Sequence, residues 1–280
     1  MKIINLSGEL PEYHKVQIGL SPEKAAEEKS DSAEVFLIEE HRIVVFIGDR
    51  AVMQIVCTPT DLPELVLGRL VTEGYVRDVK NIRSIEICRN GTTATVRMEE
   101  PATGGDAEAF LGGAGTSDLI ETVSTCCTDN RSLYGLLEKD MELQRVPEPV
   151  WEESWIRAMN ERFKLDTKLH KLTHATHSCF LNLNGEIVYE AEDIGRHNAV
   201  DKAVGWALLN GVPLASCIIY TTGRMPVDMV RKVIRAGIPV MVSKEAPTLQ
   251  GLELAREYGL TLIGNAKHGK MIVYNDPGKY

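Results

Sequence analysis

The apolar positions of the chain fall into two periods. Glu34–Ile38, Ile43–Ile47 and Val52–Cys57 are short runs rich in β-branched residues, with charges between the first two, and they predict strands. Thr58 and Thr60 then precede Leu62, Leu65, Val66 and Leu70, spaced for a helix, with Gly74 placed as its C-terminal cap. Ile85, Ile87 and Cys88 lead to Asn90-Gly91 and on to Val96 and Met98, the pattern of a hairpin with a type I′ turn. Residues 1 to 33, polar and charged, predict a loosely ordered arm.

Five glycines between Pro101 and Thr116 (Gly104, Gly105, Gly112, Gly113, Gly115) mark a linker or mobile loop. Leu133, Leu136 and Leu137 predict one helix after it, and Trp151, Trp155, Met159 and Phe163 another, whose stripe reads as core. Beyond Ser178 the periods alternate. Cys179–Leu183 and Ile187–Tyr189 flank the turn signal Asn184-Gly185. Ala199, Val200, Ala203, Val204, Ala207 and Leu208 form a helix face. Then come strand Cys217–Tyr220, helix Val227–Ala236, strand Ile238–Val242, helix Leu249–Tyr258 and strand Leu260–Ile263. Strands alternating with helices predict an α/β layered domain with parallel pairs. The expected division is 1–115, a smaller α+β domain with the glycine-rich linker, and 116–280, an α/β domain.

Composition changes this picture little. At 280 residues, 44% hydrophobic and 25% charged, the chain reads as an ordinary globular protein. Its net charge of −9 argues against nonspecific nucleic-acid binding, so an anionic ligand needs a local basic pocket. No apolar run approaches the roughly 20 residues of a membrane span, and Met1–Leu6 is too short for a signal peptide. The expected location is the cytoplasm, without membrane or nucleic-acid partners.

The 6 cysteines include no CxxC pair, so neither structural zinc nor disulfides are expected. Cys88 and Cys217 read as inert core residues. Cys126-Cys127 differs: it lies in a polar setting, Thr125 to Asn130, after the glycine-rich stretch. It is either a reactive pair on a movable loop or an idle one.

Glu192-Asp193-Ile194-Gly195-Arg196-His197-Asn198 follows a strand and opens a helix. Ligands of α/β sheets sit at such places, but a capping arrangement with Arg196 paired to an acid is an equal reading. Three later loops also follow strands: Thr221–Arg224, Ser243–Thr248 and Gly264–Lys270. In a parallel sheet they converge and bring Arg196, Arg224, Lys244, Lys267 and Lys270 to one edge. His170, His174 and His177 have the spacing to cluster on a helix. No acidic residue completes a metal set, so anion contact, proton handling or a plain loop into a strand is expected there.

Several ordered blocks resemble the FdhD family of formate dehydrogenase accessory sulfurtransferases. Cys57-Thr58-Pro59-Thr60-Asp61-Leu62, with Glu64-Leu65 and Gly68, then Thr72-Glu73-Gly74, is similar to the family's N-terminal block. Glu192 through Lys202 is its most specific signature, followed by Gly223-Arg224, by Ser243 with Ala246-Pro247-Thr248, and by Leu262-Ile263-Gly264. The resemblance implies a sulfurtransferase required for formate dehydrogenase activity. It implies a cysteine persulfide charged by a cysteine desulfurase, and sulfur passed to the molybdenum bis(guanine dinucleotide) cofactor, a transient ligand rather than a resident one. It also implies a homodimer, and a C-terminal three-layer α/β/α sandwich resembling the cytidine deaminase fold. By the same resemblance Cys126 and Cys127 are the catalytic residues. Asn265, Ala266, Lys267, His268, Gly269, Lys270, Arg196, His197 and Arg224 bind the cofactor, and no metal site is implied in the protein. A module that holds and delivers the cofactor without covalent chemistry is the alternative. The usual cysteine loop of the family, Cys-Gly-x-Cys-Gly-Lys/Arg, here reads Cys126-Cys127-Thr128-Asp129-Asn130-Arg131, so its second cysteine is absent. The family's final loop, usually arginine-rich, here carries Lys267, which keeps charge without a bidentate fork.

Overall fold

A computed structural model describes residues 1–99, 122–123, 143–165 and 167–279. Cys126 and Cys127, the glycine-rich stretch and the helix expected around Leu133 lie outside the described residues.

The N-terminal sheet holds β1 (Lys2–Asn5), β4 (His41–Ile47), β5 (Arg50–Cys57), β6 (Ile82–Ile87), β7 (Thr93–Met98) and β8 (Thr122–Val123), in the order β1-β6-β7-β4-β5-β8. The first 33 residues depart from expectation. β1 pairs in parallel with β6; β2 (Tyr13–Gly19) and β3 (Ser32–Ile38) make an antiparallel ribbon, with helix α1 (Pro22–Glu28) between them. Backbone pairing with strands that carry the apolar pattern orders this polar segment. The β6–β7 connection also differs: Gly91 takes positive φ but Asn90 does not, and five residues separate the strands, so the turn is not type I′.

Helix α2 (Leu62–Thr72) is enclosed on nearly all sides: its residues are mostly apolar, and the polar Arg69 and Thr72 are buried with them. It has Pro63 in its first turn, where the missing N–H costs nothing, and the left-handed Gly74 just past its end. One side packs on the N-terminal sheet through Leu65, Leu67 and Leu70; another meets α5 (Arg196–Leu209).

The C-terminal sheet holds β9 (His177–Leu183), β10 (Glu186–Asp193), β11 (Cys217–Thr221), β12 (Val240–Ser243), β13 (Thr261–Lys267) and β14 (Lys270–Asn275), in the order β10-β9-β11-β12-β13-β14. Alternate side chains enter two cores. Cys179, Leu181, Cys217, Ile219, Met241 and Leu262 face α5, α6 (Val227–Arg235) and α7 (Leu249–Tyr258). Phe180, Ile218, Tyr220, Val242 and Ile263 face α3 (Glu153–Lys164), where Met159 and Phe163 are buried and Trp151 and Trp155 pack partly covered. Phe163 stacks on Phe180, with ring centroids 3.7 Å apart. The chain is thus a mixed α/β protein, and its second sheet is covered by helices on both faces. Asn184 and Gly185 both adopt positive φ in the two-residue β9–β10 turn.

Candidate functional site

β9 runs antiparallel to both β10 and β11, and β11, β12 and β13 run parallel. The carboxyl ends of β10, β11, β12 and β13 therefore share one edge with the start of β9 and the β13–β14 turn. Backbone hydrogen bonds join the loops there: Lys244 N donates to Thr221 O (3.2 Å), Asn265 N to Glu245 O (3.2 Å) and Thr222 N to Ser178 O (3.1 Å).

The signature after β10 does two jobs. Asp193 is fully buried: Oδ1 accepts from Gly195 N (2.8 Å) and Asn198 Nδ2 (2.9 Å), while Oδ2 accepts from Thr58 N (3.1 Å) and lies 2.8 Å from Lys202 Nζ. Lys202, also fully buried, donates to Thr58 O (3.2 Å), Thr60 Oγ1 (3.0 Å) and Glu192 O (2.9 Å). Asn198 donates to Val56 O (2.8 Å). Three residues of the motif, Asp193, Asn198 and Lys202, are thereby committed to the joint with the N-terminal half, a use that neither reading of the sequence contained. Asp201 belongs to the same joint. It accepts from Arg69 (3.2 Å), Thr72 (2.6 Å) and Lys232 (2.9 Å), and Lys232 also meets Glu73 at 2.6 Å. Burial acts to raise the Glu73 carboxyl, but Lys232 and Arg69 outweigh it and hold the group well below the usual carboxylate range.

Arg196 and His197 open α5. Arg196 is the first residue of α5, and its aliphatic stem crosses Gly223: a Cβ there would stand 2.8 Å from Arg196 Cδ. His197 turns to α6, its Nε2 2.7 Å from Asp228 Oδ2. Burial keeps its imidazole below the ordinary value despite that carboxylate.

The other expected binding residues divide. Arg224, Lys267, His268 and Lys270 are exposed at the edge, and Lys267 Nζ lies 3.4 Å from Glu245 Oε1. Ala266 is core: it is buried, and its carbonyl accepts from the Tyr220 hydroxyl. Asn265 donates to the Tyr274 hydroxyl (3.0 Å), and Gly269 O accepts from Arg157 (2.8 Å). His268 and Gly269, both at positive φ, form the tight turn that projects Lys267 and Lys270.

On the α3 face lies a groove of about 450 Å³ lined by Phe163, Thr167, His170, His177, Thr222 and Lys244, among others. None of the residues from Asn265 to Lys270 lines it. The expected single helix face of histidines does not form. Helix α4 (Lys168–Thr173) ends before His174, which takes a left-handed conformation, and His177 opens β9. His174 nonetheless reaches the same groove. Glu192, at the end of β10, fixes α4 in place by accepting from Leu169 N (2.9 Å), His170 N (2.8 Å) and the Thr167 hydroxyl. A sequence reading had no sign of this cap, because the carboxylate and the helix it caps belong to different elements.

Among the described residues, no group of histidines, cysteines and carboxylates has the geometry of a metal site. Cys57, Cys179 and Cys217 are buried; burial raises their thiols, that of Cys217 to about 11. Cys88 departs from the expected core position. It lies just past the end of β6, half-exposed. Its slight burial acts to raise the thiol, and hydrogen bonds from Thr93 and Thr92 bring it below its ordinary value.

The model of the FdhD/NarQ family matches residues 38–280. The sulfur carrier protein FdhD of Wolinella succinogenes is 28% identical over 253 residues, 87% of this chain and 82% of that protein. The protein of the same name from Geobacillus kaustophilus is 30% identical over 238 residues, 84% and 86% of the two chains. The crystal structure of a formate dehydrogenase accessory protein from Desulfotalea psychrophila superposes with a TM-score of 0.72 at 26% identity, covering 96% of this chain and 99% of that one.

Proposed function

The chain belongs to the FdhD/NarQ family, and from that membership we propose that it is a cytoplasmic sulfur carrier which sulfurates a molybdenum cofactor for formate dehydrogenase. The Cys126 thiolate attacks the terminal sulfur of a cysteine desulfurase persulfide. The sulfur–sulfur bond of the donor breaks, and the desulfurase thiolate leaves. Release of the carried sulfur as hydrosulfide needs a second thiolate to attack Cys126 Sγ, and Cys127 is the adjacent candidate. The guanine-dinucleotide cofactor is the cargo, held on the strand-end edge by Arg196, Arg224, Lys267 and Lys270, with the start of α5 facing its phosphates. The protein acts as a homodimer, and its C-terminal layers resemble the cytidine deaminase fold that the family implies.

The observation that carries this reading is the convergence of four strand-end loops on one edge that presents cations in a chain of net charge −9. The names of the relatives support the sulfur chemistry. Incubation of the full chain with a desulfurase and cysteine is expected to add one sulfur atom, read by intact mass. The addition should be lost in Cys126→Ala and kept in Cys127→Ala. Guanosine diphosphate is expected to bind, more weakly as salt rises, and Arg196→Ala or Lys267→Ala should cost about 1–3 kcal/mol. The altered cysteine loop favours one second reading, a module that delivers the cofactor without covalent chemistry. Nucleotide binding with no sulfur gained on any cysteine would select it.

A further inference from the structure

We propose that helix α3 positions the cation-bearing turn between β13 and β14: Arg157 and Asn160, one helical turn apart, fix its two ends and so set its affinity for a phosphate group. Only the choice of phosphate as ligand rests on the cofactor reading above; the tethers do not.

Two observations carry it. The first is that the turn works against itself. Lys267 and Lys270 stand directly opposite each other in the β13–β14 register, and like charges so placed destabilise a strand pair. Glu245 lies 3.4 Å from Lys267, but both side chains are about half exposed, so this pair offsets little of the repulsion. The register is also broken between Gly264 and Lys267, just before the turn. Other bonds must hold such a turn in one geometry.

The second is that α3 supplies those bonds, one at each end. At the first end the Ala266 carbonyl accepts from the Tyr220 hydroxyl, which also meets the Asn160 amide. One proton cannot serve two acceptors and a carbonyl cannot donate, so the amide meets the hydroxyl with its nitrogen, as the donor. Tyr220 and Asn160 are both buried, and the Tyr220 ring lies 4.5 Å from that of Phe163, so packing fixes where the hydroxyl points. At the other end Arg157 donates to Gly269 O (2.8 Å). Glu153, one turn earlier on α3, orients the guanidinium by accepting from its Nε (2.8 Å). The helix itself is anchored by Ile156, Met159 and Phe163, buried in the core on this face of the sheet. The two tethered carbonyls belong to the chain neighbours of Lys267 and Lys270. Two ammonium groups held at a set spacing suit a ligand whose charge is spread over several oxygens, a phosphoryl or pyrophosphoryl group. Such a ligand meets charges that are already gathered, which is preorganisation.

Variants of the full chain test this. Tyr220→Phe removes one tether through a side chain buried beyond the reach of a ligand. Arg157→Gln removes the other, and Arg157→Lys keeps a donor. Ile218→Val, in the same core but without a bond to the turn, controls for a general loss of stability. Without ligand, hydrogen exchange over residues 265–271, read by peptide mass, should quicken in Tyr220→Phe and Arg157→Gln and stay unchanged in Ile218→Val. In calorimetric titration with guanosine diphosphate, Tyr220→Phe and Arg157→Gln should bind roughly three- to tenfold more weakly, and Arg157→Lys should recover most of the loss. Combining Tyr220→Phe with Lys267→Ala should weaken binding by less than the product of the two single effects, because Tyr220 acts through Lys267. Unchanged exchange in both tether variants overturns the proposal. So does an equal loss of affinity in Ile218→Val, or single effects that simply multiply in the combined variant. A wild-type chain that binds no guanosine diphosphate at millimolar concentration, with the exchange pattern as expected, would sink the phosphate reading and support the positioning.

Discussion

Residue by residue, the most demanding feature is the buried pair Asp193–Lys202. Each charge has lost its water, and each is satisfied by the other, by main-chain groups of Thr58, Gly195 and Glu192, and by the side chains of Asn198 and Thr60. Removing one partner leaves the other buried and unpaired, which typically costs about 3–5 kcal/mol. Asp193→Ala and Lys202→Met should each lower the urea midpoint by that measure. The double variant should recover part of the loss, because an apolar pair leaves no orphaned charge. A double variant whose loss equals the sum of the two singles would show that the charges do not act as a pair. Gly223 presents the opposite constraint, since its missing side chain makes room for the stem of Arg196.

Among the elements, the α2–α5 crossing decides how the halves meet. A Cβ on Gly68 would lie 1.8 Å from Asp201 O, and one on Gly205 would lie 1.8 Å from Glu64 O. Both obstacles are backbone atoms within helices, so neither side can yield without the helices separating. Gly68→Ala and Gly205→Ala, mild changes in an isolated helix, should here destabilise by more than about 3 kcal/mol, opposite in sign to their effect on helix propensity. Chemical denaturation measures this, and a stabilised Gly205→Ala variant would contradict the crossing. The close approach also lets Arg69 and Thr72 of α2 reach Asp201 of α5, with Lys232 of α6 completing the cluster.

Across the whole molecule, these clusters set the response to acid. The His177 and His197 imidazoles lie below their ordinary 6.5 in the folded protein, so the unfolded chain binds more protons as pH falls past that value. The Glu73 and Asp228 carboxyls are likewise lowered. Asp228 is lowered by its bond to His197, which overcomes burial. The stability these carboxyls provide is present above the ordinary carboxylate values and is lost as pH falls through their folded values. Both groups act in one direction. The urea midpoint should decline from about pH 7 and fall more steeply below about pH 4.5. His177→Gln should flatten the first part of the decline, while Lys232→Met should lower the midpoint at neutral pH. A midpoint that is level from neutral pH to about pH 5 would show that the imidazoles do not enter stability.

The sequence by itself determined what is local. The two-residue turn at Asn184-Gly185, the apolar face of α5, the Trp151–Phe163 stripe and the strand-helix alternation after Ser178 all appear where period and turn chemistry put them. These depend on neighbours a few residues away, and the chain states those neighbours directly. The direction of β11 to β13, and so the shared edge of their loops, also followed, because helical crossovers between adjacent strands impose parallel order. Only the tertiary structure decided the rest. Asp193 and Lys202 find Thr58 135 and 144 residues away, and Arg69 finds Asp201 132 residues away. In a linear reading, an ionisable residue beside a glycine-rich turn looks the same whether its counter-charge lies in a ligand or in another part of the fold. Cys88 is similar: its strand pattern was visible, but the half-open loop beyond β6 depends on what the sheet leaves uncovered. The groove has the same origin. Phe163, His170, His177, Thr222 and Lys244 come from five separate segments, and their spacing carries no period. They line one groove because the sheet edge brings the segments together and Glu192 holds α4 against it.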